Sequence, residues 1–250
     1  MHPSAYDLKS FYNSARGRIV RRILRARVAD FWPDTDTKAL RVLGVGYAVP
    51  YLASYMDKAE RVVCVMPSGQ GAHGWPSDGE NLVCLSDETA LPFETNSVDR
   101  ILMVHSLEFS GFLTPEFEEL WRVLKSNGRL LMIVPNRMGM WARADWSPFG
   151  QGTPFSARQV ELFLRENLFV HERTEKALFV PPFRRDFFLR AAGYFEEIGR
   201  MLFPAMGGVH FVEASKQLYA GTGQTQRSLA LKRIRKSGLE VPEAARREKL

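Results

Sequence analysis

Four short stretches of the 250-residue chain hold residue types whose spacing could do chemistry. Gly44-Val45-Gly46-Tyr47-Ala48 follows an apolar run, and glycines there let backbone approach a ligand at the carboxyl end of a strand. The third small position is Ala48 rather than glycine, so the dinucleotide fingerprint is not met and NAD is not expected. Asp87-Glu88 opens a polar segment that ends at Asp99, and His105-Ser106-Leu107-Glu108 follows another apolar run. His105 is the best-placed candidate for a base, the alternative being that it only hydrogen-bonds backbone. The long stretch 136–155 brings Asn136, Arg137, Trp141, Arg143 and Trp146 to the ligand end of an α/β sheet, where they are candidate acceptor-binding residues. Its aromatic and arginine content suits a planar or anionic acceptor, the packing of a lid, or a partner interface. His2, His73, His105, His171 and His210 are scattered with no ligand spacing, so no metal site is expected.

Elements must hold these stretches in place. Residues 8–32 read as one amphipathic helix, with Ile19, Val20, Ile23, Leu24 and Val28 inward and Arg18, Arg21, Arg22 and Arg25 outward. That arginine face reads as a solvated surface or a stripe facing phosphate or lipid. Short apolar runs at 39–44, 61–66, 81–85, 98–104 and 128–134 alternate with helical stretches at 50–56, 115–124 and 156–167. Strands that are apolar throughout are covered on both faces, and regular alternation with helices implies a parallel sheet. The expected fold is therefore a doubly wound α/β domain. After it, 168–180 reads as a strand, 186–203 as an aromatic-rich helix and 209–219 as a last strand. The expected organisation is an N-terminal helical cap over 1–36, the α/β domain over 37–220 with a variable insertion at about 181–206, and a basic tail over 221–250.

Over residues 38–170 these motifs resemble the class I S-adenosylmethionine-dependent methyltransferases, within them the type-11-like group. The resemblance rests on Gly44–Ala48, on Asp87 with Leu91-Pro92-Phe93 and Ser97-Val98-Asp99, on His105-Ser106-Leu107-Glu108, and on Arg122-Val123-Leu124-Lys125-Ser126-Asn127-Gly128. It implies a Rossmann-like seven-stranded sheet in the order 3-2-1-4-5-7-6 with the last strand antiparallel. It also implies methyl transfer to a small-molecule or protein acceptor, with S-adenosyl-L-methionine as cofactor. Cofactor contacts would come from Gly44, Val45, Gly46 and Tyr47, from Asp87 and Glu88 at the adenine, and from His105 and Ser106 below the sulfonium. The family's second strand ends in an acid that holds the ribose hydroxyls; here Met66-Pro67 stands in that place. A thioether accepts such bonds poorly, so either another group supplies the contact, with Gln70 a candidate, or cofactor binding is weak or absent. Tyr6, Phe11 and Tyr12 either cover the cofactor pocket or pack in the core. The alternative reading is a noncatalytic methyltransferase-fold protein that binds a protein or nucleic acid.

Composition bounds the rest. With 45% hydrophobic and 25% charged residues the chain can build a core. No apolar run approaches the roughly 18 residues that span a bilayer, and the first residues lack the apolar core of a secretory signal. Cys64 and Cys84 read as buried hydrophobes in a reducing compartment, and the expected location is the cytoplasm. The net charge of +6 sits at the ends: residues 1–27 hold seven Lys/Arg against one acid, and residues 224–250 hold eight against three. The mildly acidic middle argues against a basic groove through the fold, while such arms permit contact with an acidic partner, a nucleic acid or a membrane surface; a protein partner or a homodimer is possible, and a nucleic-acid acceptor is not favoured, since no Asp/Asn-Pro-Pro-Tyr/Phe motif is present.

Overall fold

The computed structural model describes residues 3–33, 39–182 and 192–217. The tail expected over 221–250 and the start of the aromatic helix at 186–191 lie outside the described residues.

The N-terminal segment forms two helices rather than one: α1 (Ala5–Asn13) and α2 (Ala15–Phe31). Ser14, at φ −65° and ψ 162°, ends the first and caps the second by accepting a hydrogen bond from Gly17 N. A β-region serine with its hydroxyl on the next helix's first turn is an N-cap, a feature that apolar periodicity does not register. Ser4 and Asp7 form a capping box at the start of α1. In α2, Val20, Leu24, Val28 and Phe31 recur at helical spacing and are buried.

Seven strands follow: β1 (Arg41–Gly46), β2 (Arg61–Pro67), β3 (Val83–Ser86), β4 (Val98–Val104), β5 (Leu124–Pro135), β6 (Val170–Ala177) and β7 (Val209–Ser215). They pair in the order β3-β2-β1-β4-β5-β7-β6. The β1–β2, β1–β4, β2–β3 and β4–β5 pairs are parallel, while β7 runs antiparallel to both β5 and β6. Between them lie α3 (Val49–Leu52), α4 (Leu113–Val123), α5 (Ala157–Glu166) and α6 (Ala192–Leu202).

The central strands bury both faces. Leu102 and Val104 of β4 join one core with residues of α1, α2 and α3, whereas Ile101 and Met103 join the other with residues of α4 and α5. This is why those strands read as unbroken apolar runs. Cys64 lies fully inside the first core, and burial pushes its thiol up to about 12. Cys84 is only half-buried. Among the described residues no helix is long and apolar enough to cross a membrane.

Candidate functional site

The parallel strands point their carboxyl ends at one rim, where sheets of this kind bind ligands. Gly46 closes β1 at φ +75°, and a Cβ there would lie 2.2 Å from Val104 O. Glycine is forced by the approach of β1 to β4. At Gly44 a Cβ would meet the Leu52 side chain at 2.6 Å, so this glycine seats α3 on the sheet. Met66 and Pro67 end β2 and are buried, Met66 completely.

His105 follows β4 in the left-handed region, at φ +52°. A non-glycine residue there is sparsely populated and is held by its surroundings. Its carbonyl accepts from Gln70 Nε2 at 3.1 Å. Its ring sits 4.9 Å from that of Phe149. Nδ1 lies 3.0 Å from Glu108 Oε1, and Nε2 lies 2.8 Å from Tyr12 Oη. Tyr51 Oη donates to Tyr12 Oη at 2.9 Å. Burial, the Tyr51 phenol and the Glu108 carboxylate hold the Tyr12 phenol well above its usual range, so it keeps its proton. The proton order is then set: Tyr51 donates to Tyr12, Tyr12 to His105 Nε2, and His105 Nδ1–H to Glu108.

A second buried acid stands beside this chain. Ser106 Oγ donates to Glu116 Oε1 at 2.8 Å, and burial pushes the Glu116 carboxyl up to about 7 against the opposing bonds from Ser110 and Ser106. Gln70 Oε1 and Glu108 Oε2 are buried with no hydrogen-bond partner among the described residues. An unmet buried acceptor costs about 1–3 kcal/mol.

The residues singled out in the sequence separate into three groups. Gly44, Val45, Gly46, Tyr47, Met66, Pro67, His105 and Ser106 meet at the rim, and Tyr12 of α1 covers them. Asp87 and Glu88 stand one strand further out, after β3; Asp87 is exposed, and its Oδ1 accepts from the Thr89 amide and hydroxyl at 2.8 and 2.7 Å. Those two bonds hold the Asp87 carboxyl below its usual range. In the 136–155 stretch the side chains divide. Asn136 is buried and donates to Gly207 O at 2.6 Å, and Trp141 donates to Val180 O at 2.6 Å. Both pin the loop to the β6–β7 region. Arg137 and Arg143 are exposed, and Trp146 is half-buried under the Arg16 guanidinium, 5.3 Å away. Tyr6 is exposed, with its ring 6.2 Å from that of His73. Sequence reasoning did not join Tyr12, Tyr51, His105 and Glu108 into one chain. The only signal for it was the three-residue step from His105 to Glu108.

Residues 42–132 match the methyltransferase-domain family model. Over this stretch, under half of the chain, the sequence is similar to methyltransferase domains. A search of curated proteins finds no match. Among solved structures the chain is similar to an S-adenosylmethionine-dependent methyltransferase from Mesorhizobium loti, at 14% identity and TM-score 0.56, over 82% of this chain and 99% of that one. It is similar to the geranyl diphosphate C-methyltransferase of Streptomyces coelicolor, solved with S-adenosyl-L-homocysteine, at 18% identity and TM-score 0.52, over 76% and 77%. It is also similar to the (4+2)-cyclase SpnF, at 19% identity and TM-score 0.55, over 87% and 98%. At these identities the likeness is one of fold, and a cyclase among the neighbours shows that the fold carries other chemistry.

Tested against that family's cofactor, the rim in this form does not fit. Tyr12, Tyr47, Tyr51, Met66 and His105 are each no more than 2% exposed. Tyr12 stacks on Tyr47 with centroids 5.8 Å apart and planes 10° from parallel. The chain's own aromatic rings occupy the rim where the resemblance seats S-adenosylmethionine, and α1 carries the covering ring.

Proposed function

We propose that the chain is an S-adenosylmethionine-dependent methyltransferase, acting on a small-molecule or protein acceptor, whose α1 must leave the rim before the cofactor enters. The observation that carries this reading is the buried Glu108–His105 pair at the end of β4. Packing alone does not ask for an imidazole with one nitrogen anchored on a carboxylate and the other turned to a movable phenol. Glu108 fixes the tautomer in which His105 Nε2 is the acceptor. In the closed form Tyr12 supplies the proton to that nitrogen. With Tyr12 withdrawn, Nε2 is a base poised to take a proton from an acceptor group, and Glu108 steadies the imidazolium formed. Gln70 Oε1, buried and unmet, supports the reading, because it offers next to β2 an acceptor that Met66 lacks. Asp87 and Glu88 are the adenine-side candidates in this proposal, and the exposed Arg137 and Arg143 the acceptor-side ones.

A second reading, a noncatalytic methyltransferase-fold protein, is favoured by one observation. Met66 is fully buried in the apolar core and presents no acceptor at the end of β2.

Calorimetric titration with S-adenosylhomocysteine separates the two. On the first reading the wild-type protein binds, and Tyr12→Ala binds at least about fivefold more tightly, because a weakened closed form lowers the population cost of opening. Absence of binding by both proteins up to millimolar ligand overturns it in favour of the second.

A further inference from the structure

Helix α6 is docked the reverse way for a surface helix. Tyr194, Ile198, Met201 and Leu202 recur at i, i+4, i+7 and i+8, so they share one face. In a helix packed on its own domain that apolar face points inward. Here it points to solvent: Tyr194 is 76% exposed, Ile198 51% and Met201 82%. The docked face is polar and small. Glu196 Oε1 accepts from Leu178 N at 2.8 Å, and its Oε2 from Phe179 N and Val180 N at 2.6 and 3.2 Å. A Cβ on Gly199 would lie 2.6 Å from Phe179 Cβ, so the helix backbone rests directly on that residue. These contacts fix the helix with its apolar face outward. The turn after it continues the patch: Phe203 and Met206 are exposed, and Asn136, which donates to Ala205 O and Gly207 O, brings the exposed Met138 to the same turn.

We infer that this face lies on the surface of an anionic lipid bilayer. A contiguous exposed apolar patch marks a contact with something less polar than water. The second observation is the charge on the neighbouring helix. Ile19 and Val20 of α2 line one small cavity with Leu178 and Val180, the segment to which Glu196 bonds. Burial raises the Glu196 carboxyl, and Arg27 of α2 is near enough to oppose that rise. The exposed side of α2 carries Arg18, Arg22 and Arg25. Arg18 donates to Asn13 O and Arg25 to Ser54 Oγ, both neutral partners that leave the charge in place. On α6 the exposed Glu197 and Arg200 offset each other, so the positive field comes from α2. Arginines beside an apolar surface match a bilayer, whose phosphates lie just above its acyl chains. A fluid bilayer closes around side chains that stand this far out, whereas a protein partner needs a groove shaped to them. The helix has 11 residues and is about 16 Å long, so it lies in the interface and does not cross it. The inference does not depend on whether the rim binds S-adenosylmethionine.

The test is co-sedimentation of the full chain with vesicles of phosphatidylcholine alone and of phosphatidylcholine with about 30% phosphatidylglycerol. Expected is binding to the anionic vesicles that is half-complete by about 1 mM lipid, and about tenfold weaker binding to the neutral ones. Ile198→Glu combined with Met201→Glu is expected to weaken anionic-vesicle binding about tenfold or more, and Arg18→Gln combined with Arg22→Gln about threefold or more. All four side chains are exposed, and circular dichroism checks that each variant is folded. The basic stretch 224–250 is present in every protein, so vesicle binding that survives the α6 substitutions belongs to it and overturns the inference. So does a wild type that leaves anionic vesicles unbound. Binding undiminished in the α2 variant, or equal on both kinds of vesicle, overturns the anionic half of it. A wild-type dimer in size-exclusion chromatography that the α6 substitutions dissociate, without vesicle binding, gives the face to a second copy of the chain and overturns it as well.

Discussion

Glu116 shows how much one buried atom can govern. Its carboxyl is pushed up to about 7, chiefly by burial. An acid whose folded value exceeds its unfolded one lends stability that is whole below about pH 4.5 and is lost as the pH rises through 7. From pH 5 to pH 8 that loss is about 2–3 kcal/mol. Glu116→Gln keeps an oxygen for the Ser106 hydroxyl and has no charge to bury. Urea unfolding at the two pH values is expected to show the wild type losing about 2–3 kcal/mol more than the variant; equal losses would place the carboxyl's proton elsewhere. Gly46 is the second such position. At φ +75°, with a Cβ only 2.2 Å from Val104 O, Gly46→Ala is expected to cost about 2–4 kcal/mol in the same assay. Gly46 was legible in the sequence as a glycine turn; Glu116 was not legible as a site residue. Neither the shift nor the clash was legible, because each depends on atoms brought in by another strand or helix.

At the scale of elements, α1 is the part whose role the sequence left open. It is tied at its start by Ala5 N to Gln70 O, 2.8 Å, and in its last turn by Tyr12 to His105. Ser14 gives it a hinge to α2. Native-state hydrogen exchange should therefore open α1 at a free energy below that of β1, β4 and β5, since a short terminal helix can detach without breaking the sheet. Protection of α1 equal to that of β4 would argue against a cover that moves. Lys216 does the opposite job at the far end of the sheet. Just after β7, it is buried and donates to Asn96 Oδ1, Trp121 O and Leu124 O at 2.7, 2.7 and 2.6 Å, with its ammonium 4.0 Å above the Trp121 ring. Lys216→Met strands three acceptors and is expected to cost about 3–5 kcal/mol in thermal or urea unfolding.

For the whole molecule, the sheet separates two cores, and this has a measurable consequence. Leu102 packs on the α1–α3 side and Leu130 on the α4–α5 side. Leu24→Ala in α2 and Leu164→Ala in α5, each fully buried in one of the two cores, are each expected to cost about 2–5 kcal/mol, and the double variant their sum within about 0.5 kcal/mol, because the sheet lies between the two cavities. A coupling well above that would mean that the faces relax together. The alternation of apolar runs with helical stretches, and the ordered motifs from Gly44 to Gly128, determined the seven-stranded fold and the methyltransferase resemblance. These are local signals, written in residue type and spacing, and packing elsewhere does not erase them. The break at Ser14 escaped because a single capping hydroxyl leaves hydrophobic periodicity intact. Only the tertiary structure decided that Tyr12 and Tyr51 close the rim over His105 and Glu108, that Asn136 and Trp141 anchor a loop their types offered to a ligand, and that α6 stands beside α2 with its apolar face outward. Each of these joins residues tens of positions apart in the chain. Their meeting is fixed by strand register and helix docking, which no window of sequence contains.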